Sequence, residues 1–96
     1  MASFETRTAT DHAAPFASRA ELGDPEAQYE LGLAYSTGDG VPVDLIEAHK
    51  WFNLAAMAGD EAAKSWRHEL AGDMTRAEIA EAQRQAREWI TSHKLH

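Results

Sequence analysis

The chain of 96 residues contains no cysteine. Disulfides, thiolate metal sites and a cysteine nucleophile are thereby excluded. No apolar run approaches the roughly 20 residues that a membrane-spanning helix needs. Basic charge is sparse: nine Lys and Arg stand against sixteen Asp and Glu, for a net charge of −7. Duplex nucleic acid and anionic membranes both reward a basic surface, so neither is expected as a partner. Isoleucine and valine are scarce while alanine, leucine and glutamate abound, which favours helix over sheet. Met1–Asp11 is polar and threonine-rich. It lacks a basic start followed by an apolar core and does not read as a secretory signal. The expectation is a cytoplasmic protein with a flexible segment over 1–11 and a single helical domain over 12–96.

What the sequence does contain is an internal echo. Gly23-Asp24 and Gly59-Asp60 recur 36 residues apart, and Phe16/Phe52, Ala20/Ala56 and Ala27/Ala63 share that offset. A period of that length is typical of stacked helical hairpins. Local signals divide the chain accordingly. A short amphipathic stretch over 13–22 carries Ala13, Phe16, Ala17, Ala20 and Leu22, with Pro15 tolerable only in its first turn. Asp24 caps a second helix with Pro25 at its first position. There Ala27, Leu31, Ala34 and Tyr35 share a face, and Gly32 implies close approach by a neighbouring helix. Gly38-Asp39-Gly40 breaks that helix, and Val41-Pro42-Val43 crosses in extended form.

Asp44 then caps a stripe of Leu45, Ala48, Trp51, Phe52, Ala55 and Ala56. Asp60 opens a helix with Ala63, Trp66 and Leu70, stopped by Gly72. Thr75-Arg76-Ala77-Glu78 has the capping-box pattern, and Ile79, Ala82, Ala86, Trp89 and Ile90 follow on one face. Residues 93–96 are expected to fray. The pattern predicts an all-α fold of about five antiparallel helices and no strands. Paired alanines permit close packing, while Trp51, Phe52 and Trp89 fill the larger gaps.

The run from Ala27 to Gly59 resembles the Sel1-like repeat, a relative of the tetratricopeptide repeat. The resemblance rests on Ala27, Leu31-Gly32, Tyr35, Gly38-Asp39-Gly40-Val41, Asp44, Ala48, Trp51, Ala55-Ala56 and Gly59. It places one complete repeat over 24–59, with a worn repeat before it and C-terminal capping helices over 60–92. His68 and Ala71 occupy the positions of the family's glycine and tyrosine, and no second G-x-G-V loop follows. The resemblance implies a short α-α superhelix that acts as an adaptor or scaffold in protein–protein interaction.

In such hairpins the first helix lines a concave groove, which singles out Gln28, Tyr29, Glu30, Leu33, Ser36 and Thr37 as outward or groove-facing. Tyr29 and Leu33, one turn apart, form an anchor pair for a peptide or helix. The competing reading packs Tyr29 on the preceding helix and Leu33 on the closing one. Trp66 has the spacing of a core position and is a groove anchor otherwise. Tyr29, Glu30, Leu33, Thr37 and Trp66 are thus the candidate partner-binding residues. Arg67, Arg76, Arg84 and Arg87 are expected to pair with Glu78, Glu81 or Glu88 along a solvated helix face.

No catalytic constellation emerges. Ser36, Ser65 and Ser92 lack a G-x-S-x-G setting, and Asp39 and Asp44 read as loop and cap residues. The five histidines form no H-x-x-x-H or H-E-x-x-H pair. No cofactor or metal is expected, and the protein is not expected to be an enzyme. Besides an adaptor that binds another protein or a peptide segment, two readings stand. One is a self-assembling module whose incomplete repeats complete one another as a homo-oligomer. The other is a small acidic inhibitor of an enzyme.

Overall fold

The computed structural model describes residues 14–93. Five helices follow one another there: α1 (Ala14–Glu21), α2 (Pro25–Thr37), α3 (Leu45–Met57), α4 (Glu61–Ala71) and α5 (Arg76–His93). No strand occurs among the described residues, so the fold is all-α as expected. The segment 1–11, expected to be flexible, lies outside the described residues.

The boundaries follow from local chemistry. The carboxylate of Asp24 accepts from the Glu26 N–H at 3.0 Å, that of Asp44 from Glu47 at 3.1 Å, and that of Asp60 from Ala63 at 3.0 Å. Each satisfies a backbone donor that the first helical turn leaves free. At α5 the capping box forms in both directions. The Glu78 N–H donates to Thr75 Oγ1 at 3.1 Å, and the Thr75 N–H donates to Glu78 Oε1 at 2.8 Å. Gly38 closes α2 at φ 80°, a left-handed conformation suited to glycine. The Asp44 N–H then donates to the Tyr35 carbonyl at 3.0 Å, fastening the crossover to the helix it left.

Packing centres on α3, which lies against α2, α4 and α5. Surrounded on several sides, it buries Ala48, His49, Trp51, Phe52, Leu54, Ala55 and Ala56. One side of α3 places Trp51 and Leu54 among Ala20, Ala27, Leu31, Ala34 and Ala86. The other gathers Ala48, Phe52, Ala55 and Ala56 with Ala63, flanked by the half-buried Tyr29, Leu33, Tyr35 and Leu70. Phe52 is wholly buried, and its ring lies over Gly32. A Cβ at Gly32 would stand 2.7 Å from two of the ring carbons. The close approach anticipated at this glycine is therefore made by the phenyl ring of Phe52.

Three expectations need correction. Leu22 lies beyond the end of α1 and is 85% exposed, and Ala17 is also exposed. An eight-residue helix that packs chiefly on α2 presents only a narrow stripe, here Phe16 and Ala20. Gln28, expected to face outward, is buried at 2% exposure, and its Nε2–H donates to the Ala20 carbonyl at 3.2 Å. The last turn of α1 leaves carbonyls without helical partners, and Gln28 supplies one with a donor. His93 is not frayed. It is the last residue of α5, stacked on Trp89 at 3.8 Å between centroids, with Nε2 3.4 Å from Glu21. The remaining residues expected to fray, 94–96, lie outside the described ones.

The final helix also departs from a plain succession of hairpins. α5 packs along α3 and has little contact with α4. Trp89 meets Trp51 edge to face, with centroids 6.3 Å apart, and its indole N–H donates to Glu21 Oε1 at 3.0 Å. Through Glu21 the end of α5 is thus tied to the end of α1.

Gly32→Ala tests the central contact. Alanine is the better helix former by about 1 kcal/mol. Overpacking against Phe52, at about 1–3 kcal/mol, should nevertheless prevail, for a net loss of up to about 2 kcal/mol. In thermal unfolding this corresponds to a fall of up to roughly 15 °C for a domain of this size. An unchanged or raised midpoint would mean that the ring moves aside freely.

Candidate functional site

The predicted partner-binding residues lie on α2 and α4, and Phe52 of α3 connects two of them. Its ring meets Tyr29 in a tilted contact, with centroids 6.0 Å apart, and stacks on Trp66 at 6.4 Å with 14° between planes. Leu33 packs half-buried beside the same cluster. Trp66 therefore has a packed face and a free one, because its side chain remains 45% exposed. The packing reading of this residue holds for the side against Phe52, and the exposed remainder is what a groove anchor would need. Neither the Tyr29 hydroxyl nor the Trp66 indole N–H has a protein hydrogen-bond partner among the described residues.

Glu30 is half-buried and takes part in no ion pair among the described residues. Thr37 is exposed at the end of α2, where its hydroxyl donates to the Leu33 carbonyl at 2.9 Å. The Ser36 hydroxyl donates to that carbonyl at 3.0 Å. Such back-bonding engages the hydroxyl hydrogen of Thr37 and leaves its oxygen able to accept. The structure thus joins Tyr29 and Trp66 through Phe52, with Leu33 packed against the same cluster and Glu30 and Thr37 elsewhere on α2. Sequence reasoning assigned Phe52 to the core alone. Its spacing gave no sign that it also supports an exposed indole.

The arginines divide. Arg84 pairs with Glu81 at 2.6 Å and with Glu88 at 2.7 Å along the exposed face of α5. The Arg84 hydrogen bonds, helped by Gln85, hold the Glu81 carboxyl down at about 2. Arg67 pairs with none of the glutamates. Its Nη1–H donates to Asn53 Oδ1 on α3 at 2.7 Å, because α4 lies against α3 and not alongside the acidic face of α5. His49 is buried at 3% exposure, and its Nδ1 lacks a partner. Burial, and then the nearby Arg67 charge, push its pKa below the ordinary 6.5. Among the described residues no three His, Asp or Glu side chains converge as metal ligands.

The neutral state of His49 gives the fold a pH dependence. A histidine whose folded pKa is depressed contributes its full stability above the unfolded value, and loses it as protonation begins. Between pH 7.5 and pH 5.5, about one unit either side of the ordinary value, the parent chain should lose more stability than a His49→Gln variant. Urea midpoints at the two pH values measure the difference. Parallel profiles would show that His49 titrates alike in the folded and unfolded chain.

Residues 25–60 match the family model of the Sel1 repeat, a stretch that covers α2, the crossover, α3 and the cap of α4. No curated protein matches the chain. Sel1 repeats generally mediate protein–protein interaction. With Gly32 beneath Phe52, the left-handed Gly38 and the Asp44 cap all in place, the α2–α3 hairpin is a Sel1 repeat, and the chain is consistent with a Sel1-like repeat protein.

Proposed function

We propose that the protein is a non-enzymatic adaptor that binds a segment of another protein across α2 and α4, on Tyr29, Glu30, Leu33, Thr37 and Trp66. The observation that carries this reading is the half-exposed indole of Trp66 stacked on the buried ring of Phe52. A large aromatic held rigidly by packing loses little conformational entropy when a partner covers it, as a binding anchor should. Tyr29 and Leu33 extend the apolar surface, while Glu30 offers a carboxylate without an ion-pair partner among the described residues. An apolar or aromatic segment with a basic residue beside it would complement this set. The net charge of −7 agrees with a basic or neutral partner better than with nucleic acid or an anionic membrane.

A second reading, self-association, draws on the exposed apolar Leu22 and Met57. Light scattering over a range of concentrations decides it. A mass that stays monomeric throughout removes it.

Site-specific photo-crosslinking tests the adaptor reading in source-cell lysate. A photoreactive residue replacing the exposed Thr37 should capture a partner that the same residue at Arg84, on α5, does not. Trp66→Ala should abolish that capture while lowering stability by about 2 kcal/mol and leaving the chain folded, since nearly half of the residue is already in water. Equal capture from both positions, or capture indifferent to Trp66→Ala, would place the partner elsewhere.

A further inference from the structure

The second helical pair differs from the first at its central contact, and the difference opens a cavity. In the first pair Gly32 receives the ring of Phe52. His68 stands 36 residues after Gly32 in α4. Gln83 follows the cap Thr75 by eight residues, as Phe52 follows the cap Asp44. An imidazole in place of glycine denies close approach, and an amide in place of phenyl has little to gain from it. α5 accordingly lies on α3 and away from α4. The gap is a cavity of about 380 Å³, bordered by His49 and Asn53 of α3, Arg67 and His68 of α4, and Ile79 and Gln83 of α5. That volume lies within the usual range for small-ligand sites.

The chemistry of the lining is one-sided. Although the chain carries a net charge of −7, no carboxylate borders this cavity. Arg67 is half-buried, bound to the neutral amide of Asn53 at 2.7 Å, and has no acidic partner among the described residues. His49, only 3% exposed, contributes its ring to the same lining.

We propose that this cavity is a carboxylate-binding site, with Arg67 as its principal group. A guanidinium fixed by Asn53 keeps further N–H donors for a planar, two-oxygen acceptor, the geometry that a carboxylate supplies. Gln83 adds an amide donor at the rim, and the His49 and His68 rings each offer one N–H in the neutral form. The same carboxylate chemistry occurs in a small free acid and at the C-terminal end of a peptide chain. The site is separate from the Tyr29–Phe52–Trp66 cluster in its residues and does not depend on the adaptor reading.

Titration of the full chain, followed by NMR of the His49 ring and the Arg67 side chain, tests the proposal. The probes are succinate, N-acetyl-alanyl-alanine, and the C-terminal amide of that dipeptide. Saturable shifts with succinate alone support the site for a free acid. Shifts with the dipeptide acid but not its amide support it for a chain end, and shifts with both acids support the shared chemistry. Arg67→Gln should weaken binding about tenfold or more, Arg67→Lys should fall between, and Trp66→Ala should leave it unchanged. The folded state of each variant is read from the same spectra. No saturable shift by about 50 mM ligand, beyond the millimolar range in which one such pair can act, overturns the proposal. Shifts with the amide equal to those with the acid, or binding indifferent to Arg67→Gln, overturn it equally.

Discussion

The ring of Phe52 lying over the backbone at Gly32 is the contact on which the rest of this structure depends. It works only because one residue has no side chain and the other has a flat one. With that contact made, α3 sits deep against α2, and Ala48, Ala55 and Ala56 can close on their neighbours. Small residues alone would allow close packing but would bury little apolar surface. The phenyl ring contributes about 1.5–3 kcal/mol of burial at the point where the helices are nearest. The same ring then serves as a platform for both Tyr29 and Trp66. Stability and the candidate binding surface therefore share a residue.

The second half of the chain uses other means. Without a glycine in α4 to receive it, α5 is held by Ala82 and Ala86, by the edge-to-face meeting of Trp89 with Trp51, and by the Glu21 contacts of Trp89 and His93. Its outer face is charged and internally paired, Arg84 bridging Glu81 and Glu88. A helix with one apolar stripe and a solvated back suits a place at the end of a stack. The departure from the repeat pattern at His68 and Gln83 has a second effect, since it leaves polar groups facing a gap where an unbroken repeat would be apolar. Loss of one packing contact thus changes the chemistry of the surface between the helices.

The two proposed surfaces differ in kind. The Trp66 face is apolar, built on a rigid aromatic, and suited to a protein segment. The cavity beside Arg67 is polar, poor in negative charge, and suited to a small acidic group. Helical repeats bind through surfaces that their hairpins present side by side, so the partner is set by individual side chains and not by the fold.

Helix boundaries were legible in the sequence because each is decided within a few residues. Asp24, Asp44, Asp60 and Thr75 cap helices through their own side chains, and Gly38 ends one through its own backbone. The repeat itself was legible because its signature residues recur at a fixed spacing. The outward placement expected of Gln28 failed, since its burial depends on where α1 lies and not on its position within α2. The pairing expected of Arg67 with a glutamate failed for a similar reason, because α4 turns that side chain toward Asn53. Composition and spacing determined the helices, their caps and the close approach at Gly32, all of which are local or periodic properties. The stacking of Trp66 on Phe52, the desertion of α4 by α5 and the cavity between them were decided by tertiary packing alone, because each depends on which distant side chains share one space.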